Sequence, residues 1–463
     1  MLALRLLSLL ALSSAEEGMD PEQPLTLEAA TAIALVHANE MIQAREDVLL
    51  VDADYMTALS AVLPRVDLDL SAGGGFFESQ ILEFRNRGFA ENTPDDNPPV
   101  VFGDWQDANA NGYVNSVWRL GLSARQLIFD GGRWWTAIDK AKVDRTGRDA
   151  DLRAARNLVR ARVAQTFFAL ERARRSIDVL AAQIELDHAQ VKRAGALLRA
   201  GRGAAADVAA AKRNLAADEI QRVQAQTAEG QARRTFNLQL GLPPRRPVRL
   251  VMPETMSSSV SRAAEVPPLD ELLRMAREHR PELASQGAVV RSAERDVGIA
   301  QADYWPSLAL EARYNRSSRR PDRIFANPLE NFTASLDLVL QWNLFEGRAT
   351  TARVDQARVQ VRKAQAQLEA LERQTLAEVE DARQRWFDQE RTFGFAQEQI
   401  SAAKDALRLA RGLYEAGRGT SLELRTAELE LTRAQIAAIN ARLDAETARA
   451  DLAQAVGIES WAE

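Results

Sequence analysis

Between Leu152 and Leu198, apolar or small residues recur in steps of three or four, through Val159, Val163, Leu170, Ile177, Leu180, Ile184 and Val191. Thirteen steps cover 46 residues, a mean of 3.54. That is a heptad seam, and it predicts long helices under left-handed supercoil. Two polar residues, Thr166 and Asp187, interrupt it. The same pattern returns 216 residues later, from Leu368 through Val379, Trp386 and Ile400 to Tyr414, in the same phase. The first of these helices is expected over 133–200, on the order of 100 Å at about 1.5 Å per residue, wider than any compact domain. Each ends at a Gly-Arg-Gly turn, Gly201 to Gly203 and Gly417 to Gly419. A return helix follows, with Val208, Ala211 and Leu215 matched by Leu424, Ala427 and Leu431. The pattern predicts two long antiparallel helical hairpins.

The repeat extends beyond the hairpins. Leu27 and Leu269, His37 and His279, and Pro64 and Pro306 lie 242 residues apart, whereas Phe129 and Phe345, Gly201 and Gly417, and Gly241 and Gly457 lie 216 apart. The chain is thus two copies of one unit, the first carrying 26 extra residues between its Pro and its Phe. This period is far too long for a solenoid. Helical segments are expected before each Pro, over about 27–63 and 269–304.

Between Pro and Phe the period changes to two. Val66, Leu68, Leu70 and Ala72 alternate with Asp67, Asp69 and Ser71, and Trp118, Leu120 and Leu122 with Arg119, Gly121 and Ser123. The second copy shows Leu308, Leu310 and Tyr314, then Phe332, Ala334, Leu336, Leu338, Leu340 and Trp342 against Thr333, Ser335, Asp337, Gln341 and Asn343. Four half-apolar strands of about ten residues have the length of outer-membrane barrel strands. Four strands cannot close a barrel of at least eight, and open edges are not viable in lipid, so the chain must oligomerise to 8 or 12 strands. Aromatics stand where interface girdles would sit: Tyr304, Trp305, Trp342, Phe129 and Phe345 at the helix end, and Phe76, Phe77, Tyr113 and Phe332 at the loop end.

Composition argues against a catalyst. The 463 residues hold no cysteine and three scattered histidines, which removes thiolate and zinc-thiolate chemistry and makes histidine catalysis improbable. No acid–base or nucleophile constellation is visible, so neither an enzyme nor a cofactor or metal site is expected. A net charge of −6 and a pI near 5.5 argue against a nucleic-acid binder. Arg5, the apolar run from Leu6 to Leu12 and the small residues Ser13 to Ala15 read as a signal peptide over 1–15, so export is expected. The 26-residue excess falls between Glu78 and Gly112, a Pro, Asn and Asp-rich surface loop. Asp107, Asn109, Asn111 and Gly112 match the opening of a calcium loop, but Trp118 occupies the position where a bidentate Glu is required.

Together with the strand-to-helix joints Phe129, Asp130, Gly131 and Phe345, Glu346, Gly347, and the glycine-bearing turns followed by Asp207 or Glu423, this order resembles the TolC family of outer membrane efflux proteins over essentially the whole mature chain. The resemblance implies a mostly α fold with a small β part: a homotrimer with a 12-stranded transmembrane β-barrel and an α-helical periplasmic barrel. It also implies outer membrane lipid around the barrel, and docking of the hairpin tips with a periplasmic adaptor and an inner-membrane pump or type I secretion transporter. Such a protein is a passive exit duct. The corresponding organisation is N-terminal helices over 16–63, strand pair and extracellular loop over 64–130, hairpin over 131–242 and an equatorial linker over 243–268. In the second copy it is helices over 269–305, strands over 306–346, a hairpin over 347–456 and a C-terminal end over 457–463.

The family's tip pattern is met by Tyr414, Gly417, Glu423 and Leu424, and by Gly201, Asp207 and Val208, with Leu198 replacing the first tyrosine and Thr426 a second acid found in some members. The resemblance makes Gly201, Arg202, Gly203, Asp207, Tyr414, Gly417, Arg418, Gly419 and Glu423 the aperture and adaptor region. Asp207 and Glu423 serve equally well as partners of the return helices' N-terminal dipoles, and Asp130 reads as a helix N-cap. A periplasmic adaptor or a coiled-coil structural protein of the envelope are the competing readings. The duplication disfavours the first and the amphipathic strands disfavour the second.

Overall fold

A computed structural model describes residues 24–77, 113–252, 266–318, 321–325, 329 and 332–459. The segments read above as signal peptide, long first loop and calcium-loop opening lie outside them. The elements run β1 (Pro24–Leu25), α1 (Leu27–His37), α2 (Asn39–Ser60), β2 (Arg65–Phe77), β3 (Tyr113–Asp130), α3 (Arg133–Arg199), α4 (Ala205–Gln239) and β4 (Arg249–Leu250). The second copy repeats them: α5 (Leu269–His279), α6 (Pro281–Gln301), β5 (Ser307–Ser318), α7 (Pro321–Phe325), β6 (Phe332–Gln341), α8 (Ala349–Glu415) and α9 (Ser421–Val456). The mostly α fold with two long hairpins and four longer strands is the fold class that the patterning predicts.

The chain divides into two compact units. One holds residues 1–52, 143–291 and 361–463 and contains two cores that are images of each other. In the first, Ala30, Ala34, Val163, Leu170, Phe236 and Leu240 are buried. In the second, the positions equivalent by the repeat are Leu272, Ala276, Val379, Trp386, Leu452 and Val456. Within each core the large side chain sits on a different helix: Phe236 on α4 accompanies Leu170 in the first, and Trp386 on α8 accompanies Leu452 in the second. All fourteen seam positions of α8 are buried or half-buried, and in α3 Leu198 alone is exposed.

Each expected N-terminal helical segment is two helices. Ala38 and Arg280 are extended caps that break them, each still donating to a carbonyl of the preceding turn. At Arg280 the cause is local, because Pro281 disfavours helical backbone in the residue before it. The break in both copies receives the glycine that ends the return helix. Gly241 (φ 72°) lies so close to His37 that a Cβ would stand 2.4 Å from its carbonyl oxygen, and a Cβ on Gly457 (φ 84°) would stand 2.8 Å from Arg280 Cα. The four anchors His37, His279, Gly241 and Gly457 are therefore one packing contact, made twice.

The second unit, residues 53–142 and 292–360, holds a four-stranded antiparallel sheet in the order β2-β3-β5-β6. Its register aligns Leu70, Leu120 and Arg316, and Leu68, Leu122, Tyr314 and Ala334, on one face. The other face aligns Arg65, Arg125, Glu311 and Asp337. A bulge between Leu127 and Phe129 brings Phe129 opposite Leu308 and so onto the apolar face. Polar residues also occur on that face, and two of them are held by backbone carbonyls. Gln126 donates to the carbonyls of Val62 and Leu127. Arg316, buried although it sits among apolar neighbours, donates to the carbonyl of Arg323 in α7, the short helix that follows its strand.

Candidate functional site

The hairpin turns are built by the backbone. At the end of α3, Gly201 (φ 71°) donates to Leu198 O at 3.0 Å and Arg202 to Leu197 O at 2.9 Å, the paired bonds of a left-handed glycine cap. At the end of α8, Gly417 (φ 70°) and Arg418 make the same bonds to Tyr414 and Leu413. Gly203 and Gly419 have a different reason: a Cβ on either would come within 3.0 Å of the helix it has just left. Asp207 and Glu423 then cap the return helices. Asp207 Oδ2 accepts from Ala204 N at 3.3 Å. Glu423 accepts from Thr420 N at 2.8 Å while Thr420 Oγ1 accepts from Glu423 N at 3.2 Å, a reciprocal capping box. Both acids are exposed, as are Arg202 and Arg418. Tyr414 is half-buried, its ring 4.9 Å from the guanidinium of Arg193.

The strand-to-helix joints differ between copies. Asp130 caps α3, accepting from Trp134 N at 3.1 Å. Gly131 (φ 72°) could carry no side chain, because a Cβ would lie 2.5 Å from Ala302 O. Glu346 instead binds side chains, Asn343 and Arg353. Gly347 has φ 59°, and Arg348 adopts φ 71° where the first copy has Gly132. Asp303, which sequence reasoning passed over, accepts from Arg133 and from Arg353, so one carboxylate ties the first turns of α3 and α8.

Of the girdle candidates, Phe129, Tyr304, Trp305, Phe332, Trp342 and Phe345 are exposed. Trp342 Nε1 donates to Tyr304 O at 3.2 Å, and Phe332 stacks on Tyr314. Phe76, Phe77 and Tyr113 lie on the paired ends of β2 and β3. Among the described residues no helix is long and apolar enough to cross a membrane, and no group of three or more acidic, His or Cys side chains is placed to hold a metal. The sheet carries exposed apolar surface: Leu68, Leu336, Leu338 and Leu340 on the edge strands are each more than 60% exposed.

Residues 32–242 and 272–458 match the model of a family described as outer membrane efflux protein. The chain belongs to the outer membrane efflux protein family. No curated protein matches it significantly by sequence. Among solved structures this efflux protein is similar to the CusC channel, with a TM-score of 0.73 and 17% identity over 93% of this chain and 92% of that one. It is similar to the outer membrane protein VceC of Vibrio cholerae, with a TM-score of 0.68 and 19% identity over 93% and 96%. The MtrE outer membrane channel of Neisseria gonorrhoeae, in its open state, gives a TM-score of 0.70 and 19% identity over 93% and 89%. The efflux protein thus shares the fold of these outer membrane channels, and none of these likenesses supports an adaptor or a free coiled coil.

Proposed function

We propose that the chain is one third of a homotrimeric exit duct, whose 12-stranded barrel carries substrate out through the outer membrane. The observation that carries this is the four-stranded sheet with two open edges. Apart from Asp67 and Asp337, residues 65–73 of β2 and 332–341 of β6 are exposed on both faces. In lipid these edges must find partners, and pairing β2 of one copy with β6 of the next supplies them. An exposed apolar line on the hairpins supports the same assembly: Phe395, Leu409 and Leu413 on α8 are separated by 14 and 4 residues, a heptad spacing, and more than half exposed. The hairpin turns around Gly201 and Gly417 dock a periplasmic adaptor, an inner-membrane transporter supplies the energy, and the duct itself is passive. Asp207 and Glu423 are balanced by Arg202 and Arg418 and engaged as caps, so aperture selectivity by a dense carboxylate ring is not part of this reading.

The absence of native cysteine makes the test direct. Cysteine pairs scanned along β2 and β6 should cross-link neighbouring copies in outer membranes, giving a ladder that ends at the trimer. A ladder ending at the dimer would give an eight-stranded barrel instead. No cross-link at any register would remove the edge pairing. Gly417→Val should leave the ladder intact while lowering export and adaptor co-purification. Unchanged export would sink the docking role of the turn.

A further inference from the structure

The first unit buries more charge than a conduit needs. Arg425, in the second turn of α9, donates through Nη1 to Asp187 Oδ1 on α3 and through Nη2 to Asp218 Oδ2 on α4, both at 2.7 Å. The three side chains are 10%, 1% and 4% exposed. One guanidinium against two carboxylates leaves a net negative charge in a closed site, which costs several kcal/mol unless it is neutralised. The remaining oxygen of Asp187 is buried without a donor, and the Asp218 carboxyl, held by the same guanidinium, is the acidic group that acts on it. Two ionised carboxylates are both acceptors and can share a hydrogen bond only if one of them carries a proton.

Among the described residues, Arg425 is the cation ion-paired with the two carboxylates. On α3, Gln183 donates to Asp187 Oδ1 at 3.1 Å, and on α9 Thr432 donates to Gln183. Glu428, one turn along α9 from Arg425, accepts from Gln190 and is itself raised by burial, with Arg425 and Arg411 of α8 opposing. It adds further negative charge. His188, next to Asp187 on α3, is exposed.

We propose that Asp187 and Asp218 together bind one proton, and that this proton holds the start of α9 against both helices of the first hairpin. Burial is the main force, pushing Asp187 up to about 7, with Asp218 adding to it and Arg425 opposing. A carboxyl whose folded value is raised contributes stability that is fully present below its unfolded value near 4, and that is lost as pH rises toward 7. The junction is therefore tightest in acid and loosens as the proton leaves.

Infrared spectroscopy of the full-length protein in detergent tests the proton directly. The C=O stretch of a buried protonated carboxyl should be present at pH 5.5, disappear with a midpoint near pH 7, and be absent from Asp187→Asn. Thermal unfolding adds a second readout. Asp187→Asn, which mimics the protonated carboxyl, should melt with wild type at pH 5 and above it at pH 8, while His188→Gln follows wild type throughout. A conventional ion pair gives the opposite order, with Asp187→Asn less stable at both pH values. That result, or a wild-type spectrum with no carboxyl band titrating near pH 7, overturns the proposal. The wild-type spectrum is decisive even if the variant does not assemble.

Discussion

Alanine at Gly241 and at Gly201 makes a matched pair, because both glycines have φ near 71° and both end a long helix. The left-handed backbone alone costs an L-residue about 1–2 kcal/mol. At Gly201 nothing lies within 4 Å of the new Cβ, so the backbone term is the whole effect. At Gly241 the Cβ would stand 2.4 Å from His37 O and 2.8 Å from His37 C, both backbone atoms that cannot swing aside. Forcing one methyl into such a site adds about 1–3 kcal/mol. Gly241→Ala should therefore lose roughly 2–5 kcal/mol and Gly201→Ala roughly 1–2 kcal/mol. Heat scans of the purified protein at one fixed rate, with accumulation in outer membranes as a second measure, report the order. If Gly201→Ala were as damaging as Gly241→Ala, the seating of the glycine on the α1 terminus would contribute nothing and the argument would fail.

Three further outcomes follow from the geometry. Leu338→Arg should cost about 2–4 kcal/mol and impair membrane assembly, whereas Asp337→Arg, on the polar face, should assemble; equal assembly of both would reverse the assigned faces. Arg348→Gly should raise the melting temperature slightly, by a net of about 0.5–1 kcal/mol, because Arg348 holds φ 71° and glycine relieves it; a loss of stability would reveal a role for the arginine side chain. Burial raises Glu378, but its bonds from Arg280 and Gln374 outweigh that and leave it lowered. Its contribution is present above the unfolded value near 4.5 and lost in acid, so Glu378→Gln should be less stable at pH 7 by about 1 kcal/mol or less, given its 40% exposure, and should converge on wild type below pH 4.

Elements with a long period were legible in the sequence. A mean step of 3.54 over 46 residues leaves no alternative to a long helix, and an alternation from Phe332 to Trp342 that only Val339 interrupts marks β6. What escaped was set by contacts between distant segments. Ala38 breaks a helix with no proline or glycine beside it, because the stop is matched to Gly241 about two hundred residues away. Arg316 hides the end of the β5 alternation, since the carbonyl it donates to belongs to α7, beyond the strand. Asp187 did leave a mark as a polar break in the heptad seam. Its partners Asp218 and Arg425 sit on other helices, where nothing local distinguishes them from solvated charges. Asp303 is silent for the same reason.

The mirrored cores have a consequence for inheritance. Leu170 shares its core with Phe236, and the equivalent Trp386 shares its core with Leu452. Two similar stretches in one gene invite recombination, but copying α8 over α3 would set Trp beside Phe in the first core, and copying α3 over α8 would leave Leu beside Leu in the second. The first would be overfilled and the second hollow, each at a cost of a few kcal/mol. Compensating volumes thus act as a barrier that keeps the two repeats from being homogenised, and each half is free to specialise its own outer surface.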